Sequence, residues 1–327
     1  LWSTLNIQET MNLIPEIEQP DCNSRVCAVV VTFNPNLPRL ESLLKVLLPQ
    51  VYSIIIVDNA SSIDLNPWIA EHAFQGKVEL IVNQSNLGIA SAHNIGVEVV
   101  RGKGVGYVIL FDQDSAPEQS LVRGLLHVHQ SLEGKGFKVA VVGPHYTDDR
   151  NPERPAFFRL KGLTMVPVKF GVDDEVVVAD FLISSGALIA LSTLSIVGGM
   201  KESLFIDHVD HEWCFRARSL GYLSFGACRV QMNHALGEEP ILFLGRKILH
   251  HSPLRHFFIF RNTVWMMRRS YVPLGWKWSM LKSIVARFLI YSLTVSPRLS
   301  YCRMMIYGIF RGVRGEMGAY SKVRAEL

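Results

Sequence analysis

Four short apolar runs recur in the first third of the chain, each ending in polar residues. The first is Arg25 to Thr32, continuous in the manner of a parallel strand covered on both faces. Pro35 and Pro38 break it, and a helix is expected over Leu40 to Leu48. Val51 to Val57 reads as a second strand and Val78 to Val82 as a third, followed by a helix from about Ile89 to Val100. Tyr107 to Phe111 is the fourth strand and Val139 to Val142 a fifth. Strands alternating with helices predict right-handed crossovers and a mostly parallel, Rossmann-like α/β sheet flanked by helices. Ligands of such sheets sit beyond the carboxyl ends of the strands. Polar clusters lie at four of those ends: Thr32-Phe33-Asn34, Asp58-Asn59, Asn83 to Asn86, and Asp112-Gln113-Asp114. Farther on, Asn151 to Asp180 reads as loops and irregular strands. Phe181 to Ala190 reads as another strand, Asp210 to Leu220 as a helix stopped by Gly221, and Ser224 to Met232 as a strand.

The acidic pair at the fourth strand end carries the most chemistry. Two carboxylates at the end of a buried strand are costly unless they bind something. Mg²⁺ or Mn²⁺ bridging to a diphosphate is the natural partner, because these ions take oxygen ligands and keep positions open for phosphate. Asp114 is the better direct ligand. Asp112 reaches either the ribose or the metal through water. A second acidic cluster, Asp207-His208-Val209-Asp210-His211-Glu212, spans the start of the helix expected over Asp210 to Leu220. Asp210 is the expected base there and Asp207 its rival. The plainer reading makes Asp207 a helix N-cap with Asp210 in a capping-box-like place, and lets Glu212 pair with Arg216 four residues on. Asn86 and Gly88 are candidates to bring a loop and helix start close to a nucleotide, although by itself a turn with an N-cap is the stronger account of them. Asp58 suits a base N–H or a ribose hydroxyl, with an Asx-turn as the alternative. His234 is a candidate further metal ligand. Arg255 and Arg261 are candidate forks for a phosphate or an anionic acceptor.

Composition changes this picture in one respect. The net charge of +4 conceals an asymmetry. No Asp or Glu lies between Glu239 and Glu316, while thirteen of the 33 basic residues do. The remaining 20 basic residues face 29 acidic ones, a balance of −9. Three parts are therefore expected: a tail over 1–24, a catalytic domain over 25–245, and a basic amphipathic helical region over 246–327. That last region mixes Lys and Arg with Trp, Tyr, Phe and aliphatic residues, which suits an anionic membrane surface better than nucleic acid. Its most apolar part, Met280 to Val295, is interrupted by Lys282 and Arg287, so no membrane-spanning helix is expected. Five scattered cysteines argue for a reducing compartment and against a disulfide framework or structural zinc. The first twenty residues lack the pattern of a signal peptide. The chain begins with Leu, and Met11 is a candidate first residue.

Several of these segments together resemble a known family. They are Val-Val-Val-Thr-Phe-Asn-Pro (29–35), Ile-Val-Asp-Asn-Ala-Ser-Ser (56–62), Asn-Gln-Ser-Asn-Leu-Gly-Ile-Ala (83–90), Phe-Asp-Gln-Asp-Ser (111–115) and Phe-Ile-Asp-His-Val-Asp-His-Glu-Trp-Cys (205–214), followed by His234-Ala-Leu-Gly. The chain resembles the inverting GT-A glycosyltransferases of family two, and more narrowly the bacterial rhamnosyltransferases, over roughly residues 25 to 265. The resemblance implies that Thr32, Asn34 and Asp58 line the nucleotide pocket and that Asp112 and Asp114 hold nucleotide and metal, with His234 as a further ligand. It places the base at Asp210. It also implies a dTDP-β-L-rhamnose donor and a lipid-linked glycan acceptor of an O-antigen, capsule or cell wall. The enzyme would then sit on the inner face of the cell membrane. His208 departs from the family, where an aromatic such as Tyr is common. The sugar, the linkage and any homo-oligomer are left open.

Overall fold

The computed structural model describes residues 25–72, 74, 76–147, 156–171, 173–233, 241–243, 246–248 and 251–320. The chain opens with the alternation its pattern predicts: β1 (Val26–Thr32), α1 (Leu37–Leu47), β2 (Ser53–Asp58), α2 (Leu65–Glu71), β3 (Val78–Val82), α3 (Ile89–Arg101) and β4 (Tyr107–Asp112). Every residue of β1 and β2 is buried, which explains their unbroken apolar runs. Asn36 caps α1 through Arg39 N, and Pro38 sits in its first turn, so the helix begins three residues earlier than expected.

Next come β5 (Ala116–Pro117), α4 (Leu121–Gly134), β6 (Val139–Thr147), β7 (Phe158–Lys161), β8 (Thr164–Pro167), β9 (Val176–Ala179) and β10 (Ala187–Ala190). After them come α5 (Leu191–Val197), a 3-10 turn over Glu202–Leu204, α6 (Val209–Ser219) and β11 (Leu223–Asn233). The pattern leaves α4 unassigned, yet Leu121, Leu125, Val128 and Leu132 recur on one buried helical face. The short strands β12 (Ile241–Phe243) and β13 (Arg246–Ile248) pair with each other, and α7 (Pro253–Met267), α8 (Leu274–Thr294) and α9 (Arg298–Arg314) complete the chain.

The central sheet runs β3-β2-β1-β4-β10-β6-β11-β5, with β9 also on β11. Strands β1 to β4 are parallel, as is the β6–β11 pair. The strand expected over Phe181 to Ala190 enters antiparallel between β4 and β6, which its sequence could not disclose. This is the mostly parallel α/β sheet with flanking helices that was expected.

The basic region is not set apart from the body. Trp265, Met266, Val272 and Trp276 join the main core. Ile259, Phe260, Ile284, Tyr291, Tyr301 and Met305 form a second small core where α7, α8 and α9 meet. Gly308 and Gly312 of α9 let it approach α7 closely: a Cβ on them would lie 2.5 Å from Phe257 O and 2.6 Å from Arg261 O. Among the described residues no helix is long and apolar enough to cross a membrane. Cys27, Cys214, Cys228 and Cys302 are free thiols.

One buried group ties stability to pH. His93 on α3 is buried, and neither ring nitrogen has a hydrogen-bond partner among the described residues. Burial lowers its pKa from 6.5 to about 4. The folded state therefore holds it neutral while the unfolded chain protonates below its ordinary pKa. Its contribution is complete above about pH 6.5 and falls as pH drops toward 4. Between pH 7 and pH 5 this costs roughly 2 kcal/mol. His93→Leu should shrink the wild-type loss of unfolding free energy over that interval, measured by urea titration at both pH values. An unchanged interval loss would show that His93 does not couple folding to protons.

Candidate active site

The ends of β1, β2 and β4 stand level with one another. Thr32 pairs in register with Asp58, and Val31 with Asp112. Asp58 is 2% exposed, and its carboxylate accepts from Thr32 Oγ1 (2.6 Å), Ser61 N (2.8 Å) and Ser61 Oγ (2.6 Å). A carboxylate has about four acceptor positions, so about one is left for a ligand. The Asx-type turn and a binding role coexist here. Thr32 has a fully buried side chain whose hydroxyl donates to Asp58 and orients its carboxylate. Asn34 is exposed at φ +48 and accepts from Ser62 N and Oγ at 2.9 and 2.8 Å, which pins the turn after β2 to that after β1.

Three residues that the sequence offered only as members of strand-end clusters, Phe33, Gln113 and Asn59, complete this end. Phe33, which follows Thr32 at the end of β1, is 46% exposed. Gln113 grips its backbone, accepting from Phe33 N at 2.7 Å and donating to Phe33 O at 3.2 Å. Asn59, buried, donates to Thr32 O through its backbone and to Gly88 O through Nδ2, and accepts from Asn83 Nδ2. Polar residues at strand ends were visible in the sequence, but not which of them bind one another.

Asn86 and Gly88 are placed by the fold. Asn86 Oδ1 accepts from Gly88 N at 2.9 Å, and Gly88 is the N-cap of α3 at φ +84. A Cβ at Gly88 would lie 2.5 Å from Phe205 O, the atom that accepts from Ile89 N. The glycine thus admits the Phe205 turn, a cause that the sequence did not suggest. A continuous set of contacts runs from Asp58 through Asn59 and Gly88 to the second acidic cluster.

That cluster sits on a strained turn. Phe205, Asp207 and His208 all have positive φ, at +67, +64 and +62. Such conformations cost of order 1–3 kcal/mol each and persist only where the surroundings impose them. Here α7 imposes them. Asn262 Nδ2 reaches Leu204 O (3.0 Å), Ile206 O (2.7 Å) and Asp207 O (2.9 Å). Arg261 donates to Ser203 O, Leu204 O and Gly318 O. Arg261 therefore corrects the expectation of an anion fork: it is fully buried, and carbonyls take its donors. Burial lowers its pKa to about 10, with Arg311 nearby adding to the shift. Asn262→Ala should lower turnover about tenfold or more and stability by about 1–3 kcal/mol, since buried carbonyls lose their donor. Affinity for nucleotide, measured by calorimetry, should not change. A matching loss of nucleotide affinity would mean that Asn262 acts on the whole fold.

Asp207 is not the helix N-cap. His208 occupies that place in the left-handed region with no side-chain cap. The Asp207 carboxylate turns instead to Arg255, whose Nε lies 3.2 and 3.3 Å from its two oxygens and Nη2 3.1 Å from Oδ1. Arg255, expected to fork an anion, thus holds a carboxylate of the site itself. Burial raises the Asp207 pKa, against the opposing pull of Arg255. Asp210 lies in the first turn of α6, and its Oδ1 accepts from His211 N at 2.8 Å. No partner of Asp210 Oδ2 occurs among the described residues. His208 Nδ1 and His211 Nδ1 are 3.1 Å apart, and Thr263 Oγ1 is 3.0 Å from His208 Nε2. Burial lowers the pKa of both histidines, that of His208 strongly. Glu212 is buried and structural: Arg216 binds both its oxygens at 2.9 Å, and Tyr271 donates to it at 2.7 Å.

The metal expectation turns on Asp112 and Asp114. Both are partly exposed at the end of β4, and Asp112 N lies 3.5 Å from Ser185 Oγ. Among the described residues no cluster of three His, Cys, Asp or Glu could hold an ion alone. An all-carboxylate pair fits Mg²⁺ or Mn²⁺, which bind through one or two carboxylates and complete their shell with phosphate and water. His234 lies outside the described residues. Asn233, which precedes it, pairs with Ala116, two residues from Asp114.

Known proteins agree with this architecture. Residues 27–177 match the model of glycosyl transferase family 2. The dTDP-rhamnosyl transferase RfbF of Shigella flexneri is 32% identical over 305 residues, covering 90% of this chain and 98% of that protein. A crystal structure of GalNAc-T7 with UDP, GalNAc and Mn²⁺ superposes with a TM-score of 0.55 at 14% identity, over 89% of this chain and 55% of that one. Staphylococcus aureus TarS 1-349 in complex with UDP-GlcNAc superposes with a TM-score of 0.55 at 13% identity, over 88% of this chain and 81% of that one. The sheet is thus a GT-A fold, and with a relative this similar over nearly its whole length the chain belongs to the family 2 glycosyltransferases.

Proposed function

We propose that this glycosyltransferase moves L-rhamnose from dTDP-β-L-rhamnose to a hydroxyl of a lipid-linked glycan, with inversion, in surface-polysaccharide synthesis at the cytoplasmic face of the membrane. The observation that carries the reading is the linkage between two acidic centres. The β4 end bearing Asp112 and Asp114 stands level with the β2 end, and Asn59, Gly88 and Phe205 link that end by hydrogen bonds to the turn before α6, which bears Asp210. The donor follows the similarity to the dTDP-rhamnosyl transferase.

Asp58 takes a base N–H or a ribose hydroxyl with its remaining acceptor position, and the exposed ring of Phe33 gives the base a face to stack on. Asp112 and Asp114 hold Mg²⁺ or Mn²⁺, with His234 a candidate third ligand. The ion supplies charge neutralisation for the departing diphosphate. Asp210 is assigned as base because Oδ1 is engaged by His211 N while Oδ2 is not. Asp207, the rival, has both oxygens on Arg255. The acceptor hydroxyl gives its proton to Asp210 as its oxygen bonds to the anomeric carbon. The bond from that carbon to the diphosphate breaks on the opposite face, and dTDP leaves with the bonding electrons.

Calorimetry of dTDP, UDP and GDP, each with and without Mn²⁺, tests the donor. The expected result is metal-dependent binding of dTDP ahead of the others. Preference for UDP, the nucleotide present in the GalNAc-T7 structure, would keep the transferase and replace its donor.

A further inference from the structure

The outward face of α8 is apolar and uncovered. Leu274, Trp278, Leu281, Val285, Leu289 and Leu293 follow one another at steps of three or four, and their exposures run from 39% to 70%. At 3.6 residues per turn these positions form one stripe. The opposite side of the helix carries Ile284 and Tyr291, both buried in the small core with α7 and α9. Helix α9 repeats the pattern with exposed Leu299, Ile306, Phe310 and Val313. A contiguous exposed apolar face of this kind marks a partner surface.

Charge decides what covers it. Lys282 lies beside the stripe and is exposed, as is Arg298 at the start of α9. No acidic residue occurs from Pro240 to Gly315, and Glu316, just beyond, is taken up by Arg311 and Arg314. A symmetric pairing of two copies through this face would set basic helices against identical basic helices. An anionic lipid surface supplies the missing counter-charge, and its headgroup boundary accepts an apolar helical stripe lying in the plane.

We propose that α8 lies in the surface of an anionic bilayer on this stripe. The inference rests on the membrane-surface reading above and deepens it by naming the face and the lipid class. The docking element is continuous with the site. Trp276 of α8 packs edge-on against the His208 ring, 5.3 Å between centroids, and Asn262 and Thr263 of α7 hold the catalytic turn. Docking would therefore fix the acceptor side of the cleft relative to the lipid surface.

Co-sedimentation with phosphatidylcholine vesicles, with and without phosphatidylglycerol, tests this on the full chain. The double variant V285D and L289D changes only exposed positions, and unaltered dTDP binding with Mn²⁺ serves as its folding control. Wild type should bind the phosphatidylglycerol vesicles, and the variant should bind at least about tenfold more weakly, the loss of roughly one buried apolar side chain. Trp278 is the most exposed tryptophan among the described residues. Brominated lipid should quench the emission of wild type, and Trp278→Phe should remove most of that quenching. Three results would overturn the proposal in distinguishable ways. Wild type bound to neither vesicle would remove the membrane reading itself. Equal binding by wild type and variant would leave membrane association and move it to another face. A dimer that dissociates in the variant, seen by light scattering, would assign the stripe to a second copy.

Discussion

Asp210→Asn is expected to lower transfer by about 10²–10⁴-fold, the usual worth of a general base, while dTDP still binds in the presence of Mn²⁺. The substitution keeps the shape and the Oδ1 contact with His211 N. It removes only the ability to take a proton at the second position. The base assignment therefore predicts a loss in kcat with little change in donor affinity, an effect confined to the transition state. Asp207→Asn should behave otherwise. It leaves Arg255 facing a neutral amide beside a turn already held at three positive φ values, so it should lower stability as well as activity. Full turnover by Asp210→Asn, together with a stable but inactive Asp207→Asn, would transfer the role to Asp207.

Asp114→Ala should have the second large effect. One carboxylate of the proposed two-carboxylate oxygen site would be lost, and Asp112 alone would leave the ion mostly to water and phosphate. Turnover should fall by about 10² or more, because charge stabilisation by a bound ion is worth several kcal/mol. The readout independent of activity is calorimetric: the Mn²⁺-dependent part of dTDP binding should disappear and the metal-free part should persist. Unchanged Mn²⁺ dependence would contradict the assignment of Asp114. Asp112→Ala should weaken both parts if Asp112 also reaches the ribose.

The residues differ in how far the sequence disclosed them, for a physical reason. Strands β1, β2 and β4 are buried along nearly their whole length, so they wrote unbroken apolar runs, and the polar residues at their ends stood out. Asp58, Asp112 and Asp114 stood out as candidates on those terms, and Asp210 as part of an acidic cluster at a helix start. Asn59 and Asn262 were not, because their partners are main-chain atoms of segments far away in the sequence, which leave no mark on local composition. Arg261 was misread for a related reason. A guanidinium buried on carbonyls and one waiting for phosphate have the same sequence, and only burial separates them. The insertion of β10 between β4 and β6 depends on long-range pairing that no apolar run encodes. The charge asymmetry did mark out the helical end of the chain. It could not reveal that Trp265 and Trp276 fasten that end into the main core.

The central claim is transfer of rhamnose from its dTDP donor, and product analysis tests it most directly. Purified protein would be incubated with dTDP-β-L-rhamnose, Mn²⁺ and a membrane extract of lipid-linked glycans, with dTDP release and the anomeric configuration of the new linkage measured. The expected result is acceptor-dependent dTDP release and an α-linked rhamnosyl product, both absent with Asp210→Asn. Release of UDP from a UDP-sugar with no turnover of dTDP-rhamnose, or a β-linked product, would contradict the account.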